Sequence, residues 1–188
     1  KLLTTLLNSK GEYVYIHSIL SSYIASHIIE NMKWGSKEQK EKLSFVLFFH
    51  DIFLVPIYKR YPHLDNEESL LFCDDLNDNE KSVVLEHARL AGELVRNFKK
   101  IPLGVDIIIT QHHGMSSGKG FAMQFRDDIS PLSKVVMIAE EMAYHLYKLQ
   151  KNQQSFKDNK EDIIQELKDK FRMHTYQKII KTLYSIEV

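Results

Sequence analysis

Residues 12–34, EYVYIHSILSSYIASHIIENMKW, contain neither glycine nor proline. Within them Val14, His17, Leu20, Ile24, Ile28 and Met32 recur at spacings of three and four, which lines them up on one face of an α-helix. Gly35 then supplies a helix stop. The same period governs the rest of the chain. A second helix is predicted over 37–54, polar at first and apolar from Leu43, with Pro56 and Pro62 breaking it into a loop. Residues 66–76 read as a short helix, and Asn77 with Glu80 three positions on marks the start of another, running to about Phe98. Pro102 precedes a short helix ending near His112 and His113. Residues 114–120 hold three of the seven glycines and form the clearest loop. Pro131 suits the first position of a helix over 132–149, followed by a polar connector over 150–159 and one or two amphipathic helices over 160–188. Alternating, strand-like stretches are scarce. The expected fold is all-α: one helical domain over residues 1–150, of roughly seven to nine helices, with 151–188 as a C-terminal helical extension packed on it.

At 188 residues, folding can bury about 70% of the unfolded chain's surface, enough for a self-sufficient core. Twenty-five basic and 25 acidic side chains cancel to a formal charge of zero, so no bulk attraction to DNA or an anionic membrane is expected. With 44% hydrophobic and 11% aromatic residues, disorder is excluded as a general state. Apolar runs such as 45–49 and 52–57 are far short of the ~20 residues that span a bilayer. Cys73 is the single cysteine, which rules out an intrachain disulfide and a cysteine-based zinc cluster and fits a reducing, cytoplasmic compartment. The chain opens Lys1-Leu2-Leu3 without methionine and without a visible secretory signal, leaving room for an upstream sensor domain or partner protein.

Nine histidines stand out, and several fall where histidine is unexpected. His17 lies on the apolar face of the first helix. His50 and Asp51 follow the apolar run 45–49, just before a break. His87 sits among Val84, Leu85, Ala88 and Ala91; His112 and His113 end a helix; Glu140 follows the apolar run 135–139. Singly, each has an ordinary explanation, such as a core histidine bonded to a carbonyl or a helix-end charge. Five helices each delivering such a group is harder to explain, since unpartnered burial costs about 1–3 kcal/mol apiece whereas a metal centre satisfies all of them. Imidazole and carboxylate together suit iron, manganese, zinc or nickel better than calcium or magnesium.

The order of these residues resembles the HD superfamily of metal-dependent phosphohydrolases and, within it, the HD-GYP branch, from about Val14 to Leu149. The matching pieces are His17-Ser18, His50-Asp51, His87 with Gly92 five positions on, His112-His113, the loop Gly118-Lys119-Gly120-Phe121-Ala122, and Ile129 to Glu140. The resemblance implies a helical fold around a buried dinuclear centre of iron or manganese. His17, His50, Asp51 and Glu140 would hold one ion, and Asp51, His87, His112 and His113 the other, with Asp51 as the bridging, catalytic carboxylate. It further implies hydrolysis of cyclic di-GMP, or a related phosphodiester, by a hydroxide generated between the two cations.

The sequence departs from that pattern around the substrate. Leu54 stands where the family has a lysine, Gly114 where it has a glutamate, Ser117 where it has an aspartate, and Phe121-Ala122 where it has tyrosine and proline. Tyr13 replaces a glutamate that supports a third metal in some members, and Glu140 replaces an aspartate. Lys119 is the candidate replacement cation, with a solvated loop lysine as its ordinary reading, and Phe121 retains a ring for stacking on the substrate. Two function classes therefore stay open: a phosphodiesterase, or a catalytically weak or inactive metal-containing module that binds a nucleotide or a partner. His27, His63, His145 and His174 show no partner pattern and read as structural or surface residues, Glu141 and His145 as a helix-surface pair, and Cys73, beside Asp74 and Asp75, as non-nucleophilic.

Overall fold

The computed structural model describes residues 13–187; the expected helix start at Glu12 and the opening residues of the chain lie outside them. The described residues form nine α-helices, a terminal 3-10 helix and no strand: α1 (Tyr13–Asn31), α2 (Lys37–Phe49), α3 (Val55–Arg60), α4 (Glu67–Leu71), α5 (Asp78–Arg96), α6 (Val105–Thr110), α7 (Pro131–Lys151), α8 (Phe156–Lys170), α9 (His174–Ile180) and the 3-10 turn Lys181–Ser185. None of these helices is long and apolar enough to cross a membrane.

α1 buries His17, Leu20, Ile24 and Ile28 as its spacing predicts, and adds Ile16, Ala25 and Ile29, so its apolar stripe is wide enough for neighbours on two sides. Its most extensive packing is against α7, with α2 beside it. Gly35 ends the segment by proximity rather than by a left-handed turn: a Cβ there would sit 1.8 Å from the Ile29 carbonyl oxygen. α2 starts at Ser36, whose side chain caps the Gln39 N–H, and stops at Phe49, five residues before the predicted end. The chain then turns through His50 to Leu54, and Pro56 opens α3 rather than breaking a helix, because a proline in the first turn forfeits no intrahelical bond. Asn77 and Glu80 form the expected reciprocal cap of α5, and Pro131 opens α7.

Two apolar clusters hold the helices. The larger joins α1, α2, α5, α6 and α7 to Ile163, Ile164, Leu167, Phe171, Tyr176 and Ile180 of the C-terminal segment. The smaller gathers Tyr13, Leu54, Ile57, Tyr58, Leu70 and Val84. Tyr13 belongs to the smaller cluster and Ile16 and Leu20 to the larger, so His17 sits where the two meet.

Candidate metal centre

The seven residues singled out as metal ligands converge on this junction. His50 and Asp51 are placed by the end of α2, where the His50 N–H still bonds the Val46 carbonyl at 2.9 Å before the chain turns. His87 comes from the middle of α5. His112 and His113 follow α6, and α6 lies close on α5 because Gly92 leaves no side chain between them: a Cβ there would meet Thr110 Oγ1 at 2.2 Å and the Asp106 carbonyl oxygen at 2.9 Å. Gln111 fixes the end of α6 to the start of α7, accepting from the Ser130 N–H at 2.8 Å and the Ser133 hydroxyl at 3.1 Å. α7 in turn carries Glu140 at the end of the buried run 135–139.

The imidazoles are oriented by one repeated device. Nδ1 of His50, His87 and His112 faces the carbonyl of the residue three positions earlier, Leu47, Val84 and Ile109, at 3.1, 2.7 and 2.6 Å. With Nδ1–H donating there, each neutral ring presents a bare Nε2 lone pair to the centre. His87 Nε2 lies 3.3 Å from His112 Nε2 and 2.9 Å from His113 Nε2. Asp51 reaches both halves: Oδ2 is 3.3 Å from His50 Nε2, and Oδ1 is 3.6 Å from His87 Nε2 and 3.8 Å from His112 Nε2. Glu140 Oε1 is 3.2 Å from His50 Nε2. The donor atoms fall into two groups, each within 4.8 Å internally: His17, His50 and Asp51, and Glu67, His87, His112 and His113.

Glu67 is the residue the sequence did not reveal. From the first turn of α4 its Oε1 approaches His113 Nε2 at 3.1 Å and His87 Nε2 at 3.7 Å. An acidic residue just after an Asn cap is what a helix dipole favours anywhere, so the sequence carries no signal for this role. Tyr13 packs its ring on His17, with its hydroxyl 3.4 Å from Nδ1.

Electrostatics favour a cation here. Asp51 is 2% exposed, and His50, His87 and His112 are each 1% exposed. Burial drives the Asp51 carboxyl up to about 7, the Glu67 carboxyl up to about 7 and the Glu140 carboxyl well above its ordinary range. Burial also pushes His17 and His50 down to about 4 and holds His112 and His113 well below the usual imidazole range. Both trends express the cost of isolated charge in a dry site. His50 Nε2, both Asp51 carboxylate oxygens and Glu140 Oε1 are buried without a hydrogen-bond partner. Facing lone pairs and orphaned acceptors are what a bound metal ion satisfies, so these residues fit one.

The glycine loop is laid over this centre by α5. The Arg89 N–H bonds the Gly118 carbonyl at 3.2 Å, and the Gly120 N–H bonds the Leu85 carbonyl at 2.6 Å. Phe121 thereby rests on His113, ring centroids 4.2 Å apart. Gly114 has φ +78°, and a Cβ there would meet the Ala122 Cβ at 2.8 Å, so the backbone calls for glycine at this position. Lys119 is not brought to the site: its Nζ points to Glu86 at 3.3 Å, and its side chain is 59% exposed. Leu54 is fully buried in the smaller cluster. His27 bonds the Thr182 carbonyl at 3.1 Å, and His145 faces Glu141 and Glu166 at 3.8 and 3.7 Å.

Fold and site together define an all-helical protein with a buried histidine–carboxylate centre that could hold a metal ion. Comparison of the chain with protein-family models, with curated proteins and with solved structures returns no match.

Proposed function

We propose that this protein is a cytoplasmic, metal-dependent phosphodiesterase of the HD-GYP type, acting on cyclic di-GMP or a related phosphodiester within bacterial signalling, under an upstream sensor domain or partner protein. The observation that carries the reading is the gathering of the His50, His87 and His112 Nε2 atoms around the two orphaned Asp51 oxygens, with His17 grouped beside them and Glu140 facing His50. His17, His50, Asp51 and Glu140 would hold one divalent cation, and Asp51, His87, His112 and His113 the second, with Glu67 completing that set. Iron and manganese suit these donors. When bound, the pair supplies Lewis acidity and a nucleophilic hydroxide near neutral pH. The chain's own residues do the rest: carbonyl-anchored imidazoles keep the donors oriented, Asp51 ties the halves together, and Phe121 offers a ring for stacking.

Elemental analysis of anaerobically purified protein tests this directly. Two equivalents of iron or manganese per chain, with hydrolysis of a phosphodiester that a chelator abolishes, is the expected result. No metal under conditions that retain it overturns the reading. A metal-containing module that binds without turnover is the second reading, and it draws on Lys119 facing Glu86 and Leu54 lying in the core, which leave both candidate phosphate contacts unmade. Metal retained with ligand binding but no hydrolysis would establish it.

A further inference from the structure

The cavity above the centre, about 420 Å³, has His17, His112, His113 and Glu140 as its floor. Much of the rest of its lining is apolar and largely aromatic: Leu71, Phe72, Phe121, Phe125, Met137 and Phe171. Besides Glu140, the charged side chains of the lining are the carboxylates Glu67, Glu68 and Glu141 and a single lysine, Lys170, whose Nζ is held by Glu141 at 2.5 Å. Asp51, Glu67 and Glu140 set three negative charges against the two divalent cations of the proposed centre and its hydroxide adds a fourth, so the floor offers one phosphodiester monoanion direct coordination but no surplus charge for a second anion. For a second phosphate the lining offers Glu68 and the Glu141–Lys170 pair, and no unpaired cation among the lining residues.

Resting on the phosphodiesterase reading, we infer that the substrate class of this site is a phosphodiester with a single anionic phosphate on an aromatic or apolar body, in preference to a cyclic dinucleotide with two phosphates. Phe72, 78% exposed at the rim, and Phe121 at the floor give such a body two rings to pack on. In the reaction one water is consumed: its oxygen forms the new P–O bond, the ester P–O bond breaks, one proton passes to the leaving alcohol or phenol, and a phosphomonoester remains.

Calorimetric titration of the full chain, loaded with manganese and checked for metal content, tests the inference without requiring turnover. The probes are diphenylphosphinate, a non-hydrolysable apolar monoanion; dimethylphosphinate, which has the charge without the rings; and cyclic di-GMP. Diphenylphosphinate should bind at least about tenfold more tightly than either of the others. Phe72→Ala should remove most of that advantage, and Glu68→Lys should raise the affinity of cyclic di-GMP by about tenfold more than it raises that of diphenylphosphinate. Cyclic di-GMP binding as tightly as diphenylphosphinate, or no gain from the phenyl rings, overturns the substrate class and leaves the phosphodiesterase reading standing. Failure to take up manganese overturns both, and the elemental analysis tells the two failures apart.

Discussion

Asp51 is the residue on which the centre turns, because its two oxygens face different histidine groups, His50 on one side and His87 with His112 on the other. Removing it should empty both positions: Asp51→Ala is expected to retain close to no metal, whereas His17→Ala, which touches one group, should lose mainly one equivalent. Elemental analysis of the two variants checks this, and two metals in the Asp51 variant would refute the bridge. Glu67 offers a separate test. Glu67→Gln removes a charged donor facing His113 and His87, so metal affinity should fall by about tenfold or more. Its burial already disfavours the ionised carboxyl, so the metal-free variant should melt no lower than the parent. A lower midpoint without metal would mark Glu67 as a structural residue.

Among the elements, the crossing of α5 and α6 sets the distance between His87 and the His112–His113 pair, and Gly92 sets the crossing. Alanine is the better helix former by about 1 kcal/mol, which would favour Gly92→Ala in isolation. Against that, its Cβ would fall 2.9 Å from the Asp106 carbonyl oxygen, a backbone atom that cannot turn aside, and 2.2 Å from Thr110 Oγ1. Overpacking of this kind costs about 1–3 kcal/mol, so the clash wins. Gly92→Ala is expected to be less stable to urea and to bind metal more weakly, because the helices can relieve the clash only by parting. Unchanged metal affinity in a folded variant would show that the crossing does not position the histidines.

For the whole molecule, Asp127 joins the segment before α7 to α7 and α9, accepting from Lys134, whose side chain is 6% exposed, and from the Thr175 hydroxyl at 2.6 Å. These hydrogen bonds hold the Asp127 carboxyl below its ordinary range. A depressed carboxyl stabilises the fold only while ionised: the contribution is complete above the unfolded value of about 4 and disappears as pH falls through the folded value. Asp127→Asn should therefore lower the melting temperature near neutrality, and the gap from the parent should close on acidification. Melting curves at several pH values check this; a gap independent of pH would place the effect in packing rather than charge.

The helical periods, the Asn77–Glu80 cap, the Pro131 start and the unusual placement of His17, His50, Asp51, His87, His112, His113 and Glu140 are local facts, readable because spacing and side-chain chemistry act within a few residues of one another. Helix ends near residue 50 were less legible, since stopping α2 at Phe49 depends on the centre and core that receive His50 and Asp51. Glu67 joining His87 and His113, Lys119 turning to Glu86, and the acidic, aromatic wall above the histidines were decided only by the tertiary structure. Those features arise from residues far apart in the chain, and no local period or cap encodes which of many surface carboxylates, lysines or rings the packing of α4, α5 and α7 will bring to one place.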